Sequence, residues 1–335
     1  MTMKTPITVL GAGSWGTALA ILLAKNHHAV RLWSHNPAHV AELQSTRRNL
    51  KYLPDFTLPD NITFYSDLTA ALYQIQDILI VVPSQVFRNL LLELKPLLPD
   101  QARIAWGTKG LDPTSHTLLH ATAHEILGPH FPLAVISGPS FAHEVAAGLP
   151  TAVCVASADQ TFAHELSLRL INPSFRAYTT PDITGVEICG VIKNILAIAA
   201  GAVDALKLGS NAQSALMTRG LAEMQRLGLA LGGAVPTFMG LAGVGDLILT
   251  CTDNHSRNRR FGRAIGEEKS KEAALAEIGQ VVEGLNNLTT VYQLAHKLGV
   301  NMPITEQVYQ VIYQNRPLSE AIQELFSRQP KSETD

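Results

Sequence analysis

Up to about residue 180 the chain is dominated by short apolar runs, and beyond it by helical periodicity alone. The runs at 7–10, 29–33, 62–64, 77–82, 103–106, 133–137, 151–156 and 175–179 predict strands, the first feeding a helix over 17–25. The run from Asp77 to Val82 is continuously apolar after its first residue, as in a strand buried on both faces. From Pro181 onward strand signals stop. Helical spacing then covers 184–209, 212–231, 283–298 and 305–315, with Gly299 placed as a helix terminator.

The helix over 184–209 is apolar around its whole circumference, so it predicts a helix packed on every side. Lys193 and Asn194 sit near its middle, and Glu187 and Asp204 also lie within it. A spanning helix needs ~20 largely uncharged residues, so these charges favour a buried core helix over a membrane span. Burial disfavours an ammonium and lowers its pKa, which would suit Lys193 to proton exchange; alternatively its stem packs and its head reaches water.

A length of 335 residues suggests two domains, and 46% hydrophobic composition is enough for a sizeable core. The formal net charge is −2 with 16% charged residues, which argues against nucleic acid or an anionic membrane surface as partner. Cys154, Cys189 and Cys251 lack paired spacing and predict reduced thiols. The N-terminal residues lack the pattern of a secretory leader, so a cytoplasmic location is expected.

After the first predicted strand come Gly11, Gly13 and Gly16 in the order GAGSWG, then a helix. The first glycine allows a tight turn, the second lets a pyrophosphate approach the backbone, and the third lets helix and strand pack closely. The helix start offers its N–H groups to the phosphates. This predicts an α/β fold, a Rossmann-like dinucleotide-binding sheet domain at 1–180, followed by an all-α helical substrate and catalytic domain at 181–327 and a polar tail at 328–335. The second strand ends in Ser34-His35-Asn36 with no acid until Glu42. His35, with Arg47 or Arg48, favours NADP(H) over NAD(H), which stays possible.

Pro83-Ser84 ends one strand, and Lys109 follows another, at the sheet edge where ligands bind. Lys109 is a candidate ligand for an anionic substrate, or else a solvated loop lysine. His116, His120 and His124 are spaced by four, but they lack a third ligand type and fall on the helix side away from Leu118, Leu119 and Ile126, so a solvent face is expected rather than a metal site. Gly138 and Ser140 form another turn after a strand. In the second domain Ser256 can cap a helix whose first turn carries Arg257, an arrangement suited to a phosphate monoester.

Taken in order, GAGSWGTALA, KGL, SGPSFA, CGVIKNILAIAAG, GLAGVGDLILTC, HSRNRRFG and VVEG resemble the motifs of the bacterial-type NAD(P)-dependent glycerol-3-phosphate dehydrogenases across nearly the whole chain. The resemblance implies interconversion of dihydroxyacetone phosphate and sn-glycerol 3-phosphate, supplying phospholipid synthesis. It implies cofactor contacts from Ser14, Trp15, His35, Ala142, Val281 and Glu283, and contacts to both cofactor and substrate from Lys109 and Arg257. Gly138, Ser140, Asp246, Ser256 and Asn258 would line the substrate site, and Lys193 would touch substrate as the catalytic acid/base. A homodimer is expected, with no metal, nucleic acid or stable membrane insertion. The rival readings are a two-domain hydroxy-acid dehydrogenase, which needs a carboxylate site where the phosphate site is placed, and a cofactor-sensing regulator, in which a buried lysine has no use.

Overall fold

The computed structural model describes residues 4–328 and Ser332, so most of the expected polar tail, 329–331 and 333–335, lies outside the described residues. The chain gathers into two compact units. One runs to Gly190 and adds Gly232–Asp246; the other takes Val191–Leu231 and the chain from Leu247 on.

The first unit is built on strands β1 (Lys4–Leu10), β2 (His28–Trp33), β3 (Arg48–Asn49), β4 (Leu53–Thr57), β5 (Ile62–Tyr65), β6 (Asp77–Ile80), β7 (Arg103–Trp106), β8 (Leu133–Ser137), β9 (Thr151–Ala156) and β10 (Phe175–Thr180). Eight of them form one sheet in the order β10-β9-β8-β7-β6-β1-β2-β5, while β3 and β4 pair separately. Neighbours in the large sheet run parallel except β8 and β9. The strand order reverses at β1, with β2 on one side and β6 on the other, and such a switch point opens the crevice that binds ligands in these sheets. Val9 pairs with Leu32 and with Leu79, and all three are fully buried, as strands covered on both faces require. The helix Ser14–Lys25 is buried from Gly16 to Ala24. The β3–β4 hairpin has no counterpart in the apolar pattern: one strand is two residues long, and the other, LPDFT, does not alternate.

Among the described residues the second unit contains helices and no strand. The helix Ile183–Ala205 starts in the first unit and continues into the second past Gly190. It ends before the predicted 209 because Lys207 and Gly209 take positive φ, at 55° and 88°, where right-handed helix cannot continue. Ser210–Ala230, Glu283–Lys297 and Pro303–Tyr313 form the other predicted helices. Two helical stretches, Ile183–Ala205 and Val235–Thr252, are long and apolar enough to cross a membrane. In the first, 89% of the most apolar window is buried inside the protein, as in a core helix.

Candidate functional site

In the first unit the chain leaves β1 through Gly11 at φ 119°, and a Cβ there would lie 2.3 Å from the Val81 carbonyl oxygen. A Cβ on Gly16 would lie 1.9 Å from the Gly11 carbonyl, so the turn closes only with glycine at both positions. Gly13 has nothing within 4 Å of its would-be Cβ. The backbone is therefore open to a ligand where the helix Ser14–Lys25 starts. No side chain caps that helix, so its first N–H groups stay available to an anion. Trp15 adds a buried indole Nε1 with no hydrogen-bond partner in the protein. An open glycine, an uncapped helix start and an orphaned buried donor fit a pyrophosphate-bearing cofactor. Ser14 Oγ donates to the Tyr52 carbonyl at 2.9 Å, tying the turn to the β3–β4 hairpin.

After β2, His35 is exposed, and Asn36 Oδ1 caps the next helix by accepting from Ala38 N and His39 N at 2.9 and 3.3 Å. Arg47 is not poised for a cofactor phosphate as anticipated. Its guanidinium donates to the carbonyls of Leu58, Pro59 and Ile62 and lies over the Phe64 ring. Arg48 is exposed.

Lys109, anticipated as a ligand or a solvated lysine, is ion-paired: Nζ donates to Asp246 Oδ2 at 3.0 Å, and the Asp246 side chain is only 2% exposed. Asp246 follows a π-helical turn, Leu241–Gly245, an irregularity frequent at functional sites. Ser140 Oγ donates to the Gly138 carbonyl at 2.8 Å, and Ala142 opens the helix Ala142–Ala147.

His120 is only partly exposed, and its ring turns to a carboxylate instead of to solvent alone. Its Nδ1 lies 2.6 Å from Glu187 Oε2, and Glu187 also accepts from Trp106 Nε1 at 3.1 Å. Burial alone would lower the imidazole's pKa, but the hydrogen bond and charge of Glu187 outweigh it and raise it. His116 lies before the helix Leu119–Leu127, and His124 is exposed, so the four-residue spacing gathers no common site. Among the described residues no three His, Cys, Asp or Glu side chains group as metal ligands.

In the second unit Lys193 is 6% exposed, and its Nζ donates to Thr250 Oγ1 at 3.0 Å. Asn194, beside it, accepts from Asn258 Nδ2 at 2.9 Å and donates to Glu283 Oε2 at 3.3 Å. Asn258 Oδ1 in turn accepts from Gly284 N at 2.8 Å, which ties the start of Glu283–Lys297 to Arg257–Gly266. Ser256 Oγ accepts from Arg259 N at 3.2 Å and caps Arg257–Gly266, leaving Arg257 at the first helical position. Arg257 Nη1 reaches Gln280 Oε1 at 3.3 Å. Val281 is exposed.

The structure thus joins Lys109 with Asp246 in one unit, and in the other groups Asn258 and Glu283 around Asn194. Sequence reasoning missed Thr250, Glu187 and the pairing role of Asn194. Asn194 and Thr250 lie inside the quoted stretches CGVIKNILAIAAG and GLAGVGDLILTC, but each of the three is defined by a partner far along the chain, which no local spacing marks.

Sequence profiles of the N-terminal and C-terminal parts of NAD-dependent glycerol-3-phosphate dehydrogenase match residues 6–163 and 182–323. A glycerol-3-phosphate dehydrogenase [NAD(P)+] of Escherichia coli is 54% identical over 98% of this chain and 97% of its own length. The enzyme of that name from Aeromonas hydrophila is 54% identical over 99% of this chain and its whole length. The crystal structure of glycerol-3-phosphate dehydrogenase from Coxiella burnetii superposes with a TM-score of 0.95 at 52% identity, covering 97% of this chain and 99% of that one. A glycine turn fit for a dinucleotide, a buried lysine on an apolar helix and a capped helix start bearing arginine accompany these matches, and the chain belongs to the NAD-dependent glycerol-3-phosphate dehydrogenase family.

Proposed function

We propose that this chain interconverts dihydroxyacetone phosphate and sn-glycerol 3-phosphate with a nicotinamide cofactor, with Lys193 as the group that moves the proton. The observation that carries the reading is an ammonium 6% exposed in an apolar helix, aimed at Thr250 Oγ1. In this reading residues 1–180 serve the cofactor and 181–327 serve substrate and catalysis.

When bound, the cofactor supplies the hydride that the carbonyl carbon receives. Lys193 donates a proton to the carbonyl oxygen as charge builds there, and in the reverse direction its neutral amine takes that proton from the alcohol. Arg257, at the start of the Ser256-capped helix, holds the substrate phosphate. Lys109, Gly138, Ser140, Asp246 and Asn258 complete the substrate contacts. The Gly11–Gly13–Gly16 turn, Ser14, Trp15, His35, Ala142, Val281 and Glu283 hold the cofactor, shared with Lys109 and Arg257.

NADPH is the favoured reductant, because no acid follows β2 to bind a ribose 2′-hydroxyl. With Arg47 committed to backbone carbonyls, that preference rests on His35 and Arg48. Thiols outside disulfides at all three cysteines suit a reducing cytoplasm, where a homodimer would feed phospholipid synthesis. The test is the initial rate of dihydroxyacetone phosphate reduction with NADPH and NADH side by side. Phosphate-dependent turnover supports the reading and the ratio sets the preference; cofactor binding without turnover overturns it.

A further inference from the structure

The helix Ser210–Ala230 carries Ala212, Leu216, Arg219, Glu223 and Arg226 at three- and four-residue intervals, and so on one face. That face lines a cavity of about 500 Å³ within the second unit, walled opposite by Ile304 and by Ile322, Leu325 and Phe326 of the helix Leu318–Ser327. No residue assigned above to cofactor or substrate lines it.

Among its described lining residues the charge of this cavity is unbalanced. Arg219, Arg226 and Arg328 line it, and Glu223 is the one acid among its described lining residues. Glu223 is already engaged, accepting from Ile304 N, Thr305 N and Thr305 Oγ1 at 2.5, 3.1 and 3.0 Å, where it covers the start of the helix Pro303–Tyr313. Arg226 donates to the Asn301 carbonyl at 2.9 Å and is repelled by both Arg219 and Arg328. Among the described residues neither Arg219 nor Arg328 forms an ion pair. The three cations therefore converge on space that an anion would relieve.

The remaining wall is apolar and continues inward. Val203, Leu216, Ile304, Ile322 and Leu325 also line an adjoining chamber of about 60 Å³ that no charged residue borders. A small, wholly polar anion would leave that chamber empty, whereas a chain attached to the anion would fill it.

We propose that this cavity binds a single-chain amphiphile with an anionic head, a fatty carboxylate or an alkyl phosphomonoester, with the head at Arg219, Arg226 and Arg328 and the chain along the cavity's apolar wall, its end reaching the adjoining chamber. Binding is measured by calorimetry on the full chain with dodecanoate and dodecyl phosphate below their micelle concentrations, and with dodecyltrimethylammonium as the cationic control. The readout is independent of catalysis, so it stands or falls separately from the proposed reaction.

Arg219→Glu removes part of the head site, and Ala215→Trp narrows the cavity. Both positions are exposed, so both variants are expected to fold, with thermal melts as the check and Arg219→Ala as a milder second substitution. The expected result is saturable binding of one anionic amphiphile per chain, weakened at least tenfold by each variant and absent for the cationic control. The tighter of the two ligands identifies the head group, and equal affinity assigns the site to both. No saturable binding, equal binding of the cation, or unchanged affinity in either variant overturns the proposal. So does a dimer that Ala215→Trp dissociates while no amphiphile binds, which would give the face to a second copy.

Discussion

Lys193 Nζ and Thr250 Oγ1, both in the second unit, lie 3.0 Å apart on the helices Ile183–Ala205 and Asp246–Thr252. An ammonium on a long flexible stem is thereby held in one direction, the condition for proton transfer at a fixed atom. Lys193→Met should lower kcat by about 10²–10⁴-fold, the usual share of general acid–base catalysis, with cofactor affinity retained. Thr250→Val should lower kcat more than it raises KM, and Thr250→Ser should restore it. Steady-state kinetics with a cofactor titration decides, and near-normal turnover in Lys193→Met would remove the lysine from the mechanism.

Arg257 occupies the first position of a helix whose cap is Ser256, and its Nη1 touches Gln280. Loss of a charge-assisted bond worth about 1.5–3 kcal/mol predicts that Arg257→Ala raises KM roughly 10- to 100-fold. The same variant should reduce the preference for dihydroxyacetone phosphate over dihydroxyacetone. Unchanged discrimination would locate the phosphate elsewhere.

The glycines of the first turn separate folding from binding. A methyl on Gly16 meets the Gly11 carbonyl at 1.9 Å, whereas one on Gly13 meets nothing within 4 Å. Gly16→Ala should therefore destabilise the first unit by at least about 1–3 kcal/mol, as overpacking does. Gly13→Val should melt like the parent yet bind cofactor weakly, because its side chain occupies the space above the helix start. Thermal melts beside cofactor titrations test both, and normal cofactor affinity in Gly13→Val would move the pyrophosphate away from this turn.

What the sequence revealed and what it concealed divide along a physical line. The strands at 103–106, 133–137 and 151–156 have the same bounds in pattern and structure, because each is a short, mainly apolar run buried at most of its positions. The buried character of the helix around Lys193 was equally plain, since apolar residues surround it. A helical wheel registers its own helix only and so turns His120 outward, whereas Glu187 reaches it from 67 residues away. Thr250 stands 57 residues from Lys193, and no local spacing marks such a partner. The sequence leaves Arg47 available for a phosphate for the same reason: its acceptors are backbone carbonyls, which have no sequence signature.

A buried carboxyl and a half-buried imidazole make stability fall as pH rises, in adjoining windows. Burial pushes the Glu223 carboxyl up from 4.5 to about 7, against the lowering effect of the Ile304 and Thr305 hydrogen bonds. Between those values the folded state keeps a proton that the unfolded state releases, so stability falls with pH there, by up to about 3 kcal/mol. His120 has its pKa raised above 6.5 by Glu187 despite burial. Its contribution is complete below 6.5 and is lost as pH climbs through the folded value. Asp112 titrates outside both windows: despite burial, Ser115 and Arg88 hold it below 3.8. Urea midpoints at pH 5, 7 and 9 should therefore decline for the parent chain. Glu223→Gln should flatten the step from pH 5 to 7, and His120→Asn should reduce the step from 7 to 9. A Glu223→Gln variant that keeps the full lower step would mean that Glu223 is already ionised in the folded protein at pH 5, with the bonds from Ile304 and Thr305 outweighing its burial.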